Sequence, residues 1–180
     1  MVFVELGVWI NILLISIIMR WLILLAIVAM AVNGADDGDW VDPFVLPIDF
    51  AVRGFYAGYL YISANKALYY VYTPSENNPS KDPLVVVISP GPGCSSLHSW
   101  LYSKGEFTFV RNTTNFRHNP HNWNKQANVL YIEGPTGVGY TIGEETEPSD
   151  NVTQIEYFRA LLRFYEKFPE LKDQSMYLTG

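Results

Sequence analysis

An α/β fold is expected from the order of three features. The run Leu84-Val85-Val86-Val87-Ile88 is continuous and apolar, as a strand buried on both faces of a parallel sheet requires, and the Gly/Pro-dense Ser89-Pro90-Gly91-Pro92-Gly93-Cys94-Ser95-Ser96 follows at once. A second apolar run, Ala127 to Ile132, precedes an amphipathic stretch from about Asn151 to Phe168. Strand, loop, helix and strand in that order imply parallel strands joined by right-handed crossovers.

From the N-terminus, Leu6 to Val32 is apolar, broken only by Asn11, Ser16 and Arg20, and gives way abruptly to Asn33-Gly34-Ala35-Asp36-Asp37-Gly38-Asp39. Residues 1–35 are read as a secretory leader or a signal anchor, and 36–180 as the folded part. Initiation at Met19 gives a short basic start, an apolar core from Trp21 to Met30 and a small-residue cleavage zone, so that the mature chain begins between Val32 and Asp37. Initiation at Met1 gives a span of membrane-helix length with an arginine near its middle, which is costly in lipid. Membrane contact is expected through this segment alone.

Phe55 to Ile62 reads as an aromatic-rich strand, Ser63-Ala64-Asn65-Lys66 as a turn and Ala67 to Tyr72 as the antiparallel partner. Thr73 to Pro83, with Pro74, Asn77, Asn78 and Pro79, is a surface loop. Ser95 to Tyr102 is a short helix and Phe107 to Val110 a short strand. In the long helix Ile155, Phe158, Leu161, Leu162, Tyr165 and Phe168 fall three or four apart and form the packing face. Asp150 is its expected N-cap, and Pro169 stops it.

The chain carries 12 Lys+Arg against 18 Asp+Glu, a net charge of −6, which is unchanged when residues 1–35 leave with Glu5 and Arg20. No basic run interleaved with aromatics is present to neutralise phosphates, so nucleic acid is excluded as a partner. Cys94 is the sole cysteine: it is a buried free thiol, or its partner lies outside these residues. His98, His118 and His121 lack carboxylate or cysteine neighbours at metal-ligand spacing, and no metal or other cofactor is expected. Asn112-Thr113-Thr114 and Asn151-Val152-Thr153 are N-glycosylation sequons in polar, turn-like sequence and fit the secretory route.

Five segments taken together carry a resemblance. The Ser89 to Ser96 turn, Asn119-Pro120-His121-Asn122-Trp123-Asn124, Ala127 to Glu133, Pro135-Thr136-Gly137-Val138-Gly139-Tyr140 and Phe164-Tyr165-Glu166-Lys167-Phe168-Pro169-Glu170 resemble serine carboxypeptidases of the α/β-hydrolase fold, in order and at family spacing. The resemblance covers about 42–180 and implies a mixed sheet with flanking helices, incomplete within this chain. In that family the strand matching Met176-Tyr177-Leu178-Thr179 runs into Gly-Glu-Ser-Tyr-Gly, the turn that holds the nucleophile, and Gly180 matches its first glycine. The catalytic Ser, Asp and His are therefore expected outside these residues, and the chain alone is expected not to hydrolyse a peptide bond.

By the same resemblance the Gly91 amide is one oxyanion-hole donor, and Cys94 forms a long-range disulfide with a partner outside the chain. The family reads Trp-Leu-Asn-Gly-Gly-Pro-Gly-Cys-Ser-Ser, where Asn and the following Gly hold the substrate's C-terminal carboxylate; this chain has Ser89 and Pro90 there. Serine is shorter, and proline has no N–H to donate. Ser103 stands where the family usually has a glutamate that shares a proton with the acid before the nucleophile, and Glu106 where it has proline. Glu133 opens a loop that borders the family's substrate cleft. Ser95 and Ser96, outside G-x-S-x-G spacing, read as helix starters.

The expected function is a serine-type carboxypeptidase acting on peptides in the lysosome or vacuole, or outside the cell. An acyltransferase of the same fold and a secreted non-catalytic homologue are the alternatives.

Overall fold

The computed structural model describes residues 37–42, 52–89, 91, 93–110, 113, 115–144 and 149–180; the expected leader 1–35, Pro90 and Asn112 lie outside them. Among the described residues the strands are β1 (Trp40–Val41), β2 (Phe55–Ser63), β3 (Lys66–Thr73), β4 (Leu84–Val87), β5 (Phe107–Phe109), β6 (Phe116–His118), β7 (Asn128–Ile132) and β8 (Met176–Thr179). Six of them form one mixed sheet in the order β1-β2-β3-β7-β4-β8, and β5 pairs with β6 separately. β4 runs parallel to β7 and to β8, with Val86 opposite both Leu130 and Leu178.

The period of two along the strands divides the core into two layers. On one face Tyr70, Tyr72, Leu84, Val86, Leu130 and Ile132 pack against the long helix α2 (Asp150–Lys167). On the other, Val71, Val87, Val129 and Tyr131 pack against α1 (Ser96–Ser99) and the π turn Trp100–Lys104 that continues it. The β4-to-β7 and β7-to-β8 connections thus lie on opposite faces.

α2 departs from the expected helix in two ways. Ser149, in extended conformation, is the N-cap: its hydroxyl accepts from the Val152 N–H, and Asp150 is already helical. The buried stripe is Tyr157, Ala160, Phe164 and, just past the helix, Phe168, whereas Ile155, Phe158 and Leu162 are exposed. Aromatic packing selects the stripe: Phe168 lies 4.7 Å from Phe164 and 4.8 Å from Tyr72 between ring centroids. Glu156 is buried beside this stripe because Lys66 pairs with it at 3.3 Å and the Thr136 N–H donates to it at 2.8 Å.

The 74–83 loop is ordered by Asp82, which accepts from the Ser75 hydroxyl at 2.6 Å and the Asn78 N–H at 2.8 Å. These donors stabilise the charged carboxylate and hold its pKa below the usual aspartate value. Asn128, at the start of β7, accepts from the Tyr72 hydroxyl and donates to the carbonyls of Pro79 and Asp82, tying this loop to the sheet. No helix among the described residues is long and apolar enough to cross a membrane.

Candidate active site

Adjacent parallel strands whose connections leave to opposite faces open a crevice at their carboxyl ends, where ligands bind in α/β sheets. Here those strands are β4 and β7. Gly91 and Glu133 sit on the two loops that flank the crevice, after β4 and after β7 respectively. β8 reaches the same end of the sheet, for the Ile88 N–H donates to the Thr179 carbonyl at 2.9 Å.

The Gly91 turn is exposed and tightly folded. A side chain at Gly91 would press on the amide nitrogens of Gly93 and Cys94, 2.9 and 3.1 Å from where its Cβ would stand, so the backbones can approach this closely only at glycine. Both ends of the turn are pinned by hydroxyls. The Ser89 N–H donates to the fully buried Ser96 Oγ at 3.0 Å, and Ser95 caps α1 by accepting from the Leu97 N–H at 3.2 Å.

Ser95, Ser99 and Ser103 recur every four residues and therefore share a helical face. Ser99 links the two candidate positions on either side of it: its hydroxyl lies 3.2 Å from that of Ser89, and its carbonyl accepts from the Ser103 hydroxyl at 3.1 Å. The i+4 spacing was the signal for Ser99 in the sequence. Beyond this line of hydroxyls, the buried Asn119 donates to the carbonyls of Ser103 and Gly105 and fixes the end of the π turn.

Glu106 is half-buried and accepts from the Arg53 N–H at 3.1 Å; loss of hydration outweighs that bond and raises its carboxyl pKa. Lys104 lies over the Trp123 ring, 5.0 Å from its centroid. Its neighbour on the helix, Tyr102, is exposed and stacks on His98 at 4.5 Å.

Glu133 is fully buried, with both carboxylate oxygens engaged inside the protein. The Ser95 hydroxyl donates to Oε1, and the Tyr140 N–H donates to Oε2 at 2.6 Å. The flanking tyrosines Tyr69 and Tyr157 have raised pKa values, for which burial is the main cause and the nearby Glu133 charge a further one.

Cys94 belongs to the Gly91 turn, whereas Asn151 lies on α2. Cys94 is exposed among the described residues. Asn151 is exposed in the first turn of α2, where the helix was expected to begin.

A family model described as Serine carboxypeptidase matches residues 48–180. The chain is 39% identical over 127 residues to the lysosomal protective protein of Mus musculus, an alignment that covers 69% of this chain and 27% of that protein. It is 31% identical over 140 residues to a vacuolar serine-type carboxypeptidase of Saccharomyces cerevisiae, covering 78% of this chain and 27% of the other. The crystal structure of a prohormone-processing carboxypeptidase from Saccharomyces cerevisiae superimposes with a TM-score of 0.59 at 20% identity, over 69% of this chain and 30% of that one. That likeness bears on the fold, which is the α/β-hydrolase fold. The chain spans about a quarter of the length of the curated relatives it matches.

Proposed function

The chain belongs to the serine carboxypeptidase family, and on that premise we propose that it is the N-terminal part of an enzyme that removes C-terminal residues from peptides. The observation that carries this reading is the position of the Gly91 turn. It follows β4 at the carboxyl end of the sheet, beside the end of β8, after which family members place the nucleophile.

In this reading the serine attacks the C-terminal peptide carbonyl, and the Gly91 N–H receives part of the charge that develops on its oxygen. Water then hydrolyses the acyl-enzyme. In this reading the nucleophile and its Asp and His partners belong to the part of the enzyme that follows the nucleophile turn, and the activity is that of the whole protein. Ser89, Pro90 and Ser103 occupy the carboxylate-reading region, and Cys94 pairs with a cysteine elsewhere in the protein. Entry into the secretory route, with glycans on Asn112 and Asn151 and a lysosomal, vacuolar or extracellular destination, is supported by the two sequons, the apolar segment and the names of the relatives.

The test is to treat the full-length protein with a serine-directed fluorophosphonate and, separately, with an N-blocked dipeptide. Covalent labelling and release of the free C-terminal residue are expected. A folded full-length protein that does neither overturns the proposal.

A further inference from the structure

The Glu133 carboxylate bonds to both loops that flank the crevice at the carboxyl ends of β4 and β7. It has two acceptor oxygens, and two donors meet them, one from each loop: the Ser95 hydroxyl at the start of α1 and the Tyr140 N–H in the loop after β7. The Ser95 oxygen simultaneously accepts from the Leu97 N–H, so one hydroxyl caps α1 and ties it to Glu133. Gly139 closes the cage. Its φ is +58°, and a Cβ there would overlap the Glu133 carboxylate, so backbone packs directly on the acid. Each oxygen is engaged inside the protein and the side chain has no exposed surface.

We propose that Glu133 is a positioning residue: its carboxylate, by tying Ser95 to the Tyr140 loop across the crevice, holds the Gly91 turn where its amide meets the developing oxyanion. This role rests on the hydrolase reading given above. Ser95 stands four positions after Gly91, at the end of the turn next to Ser96, whose hydroxyl accepts from the Ser89 N–H. Freeing Ser95 from Glu133 leaves that single bond to close the turn, so the Gly91 backbone gains freedom. An oxyanion donor acts in the transition state, so the loss falls on kcat and spares KM.

The experiment compares Glu133→Ala, Glu133→Gln and Ser95→Ala in the full-length protein. Glutamine keeps the tie without the charge: its carbonyl accepts from the Tyr140 N–H, and its amide donates to the Ser95 oxygen, which has a second lone pair. Two quantities are read, amide hydrogen exchange over 91–97 and 137–143, and kcat and KM on an N-blocked ester. Glu133→Ala should speed exchange in both segments by about 10-fold and lower kcat by about 10-fold to 100-fold, with KM within about twofold. Ser95→Ala should speed exchange over 91–97 and lower kcat in the same direction. Glu133→Gln should stay within about threefold of wild type in both readouts.

Unchanged exchange in both Glu133→Ala and Ser95→Ala overturns the tie, and Ser95→Ala decides alone if Glu133→Ala does not fold. Faster exchange with undiminished kcat overturns the positioning role. A Glu133→Gln variant as impaired as Glu133→Ala, with a raised KM, means that the charge reads substrate, and that too overturns it. A wild-type protein without activity removes the hydrolase reading, and with it the role in catalysis; the exchange comparison then still decides whether the tie exists.

Discussion

Asp39 accepts a hydrogen bond from the Tyr70 hydroxyl at 2.7 Å, joining the segment that leads into β1 to the middle of β3. Lys167, at the last turn of α2, pairs with the same Asp39 oxygen and lies over the Tyr70 ring, 5.5 Å from its centroid. One carboxylate thus links the sheet edge, a central strand and the long helix.

Asp39→Ala should therefore destabilise the protein by about 1–3 kcal/mol, because it removes the hydrogen bond to the fully buried Tyr70 and the ion pair with Lys167. Tyr70→Phe removes the donor and should cost less. Urea denaturation of both single variants and the double variant should return a coupling of about 0.5–3 kcal/mol; strictly additive losses would show that the two groups do not act together.

Glu106 provides the pH dependence. Loss of hydration raises its carboxyl pKa in the folded state, so between the ordinary and the raised value the folded protein keeps a proton that the unfolded chain releases. Stability falls as pH rises through that window. Glu106→Gln still accepts from the Arg53 N–H and should raise Tm at about pH 7 while leaving it unchanged at about pH 3, where both states are protonated. A gain of equal size at both pH values would assign the effect to packing.

The strands were legible where apolar runs are continuous. Leu84 to Ile88 and Ala127 to Ile132 correspond to β4 and β7, and the aromatic-rich hairpin to β2 and β3. β1 and β6, of two and three residues, carry no period of their own and exist through register with β2 and β5. On α2 the expected face is met by Leu161, Tyr165 and Phe168, which pack on the core, and missed by Ile155, Phe158 and Leu162, because the apolar residues occupy two neighbouring stripes. Periodicity cannot choose between Ile155-Phe158-Leu162 and Tyr157-Ala160-Phe164; the aromatic cluster on β3 does. At the site, Gly91 and Glu133 stood out as positions, but Glu133's contacts involve a backbone amide seven residues away and a hydroxyl on another loop, which no local pattern encodes.

β8 gives a prediction about the isolated segment 36–180. Met176, Tyr177 and Leu178 are 45%, 60% and 63% exposed on a strand at the sheet edge, a flat apolar edge that templates association. Expressed alone, 36–180 should self-associate and bind a hydrophobic dye without a cooperative melt. A monomeric segment with a sharp thermal transition would contradict this. Met176→Lys with Leu178→Lys should relieve the association if the edge causes it.

The last prediction concerns what the Ser89 region recognises. The Ser89 hydroxyl lies against that of Ser99, and the Ser103 hydroxyl donates back to the Ser99 carbonyl, so both short side chains are engaged along the helix. The asparagine and glutamate found there in the family reach further, and Pro90 has no N–H where the family has a glycine amide. Each hydrogen bond to a charged group is worth about 1.5–3 kcal/mol, so a single missing contact lowers preference for a free carboxylate by about 10-fold to 100-fold. Under the proposed role of the Gly91 amide at the oxyanion, that donor is kept, so chemistry and carboxylate binding should separate. Full-length enzyme should cleave blocked esters well and show a smaller preference for free-acid peptides than a family member with the Asn-Gly pair. Ser89→Asn combined with Pro90→Gly should raise kcat/KM on free-acid peptides more than on blocked esters. Equal gains on both substrates would mean that these positions shape the Gly91 turn and do not read the carboxylate.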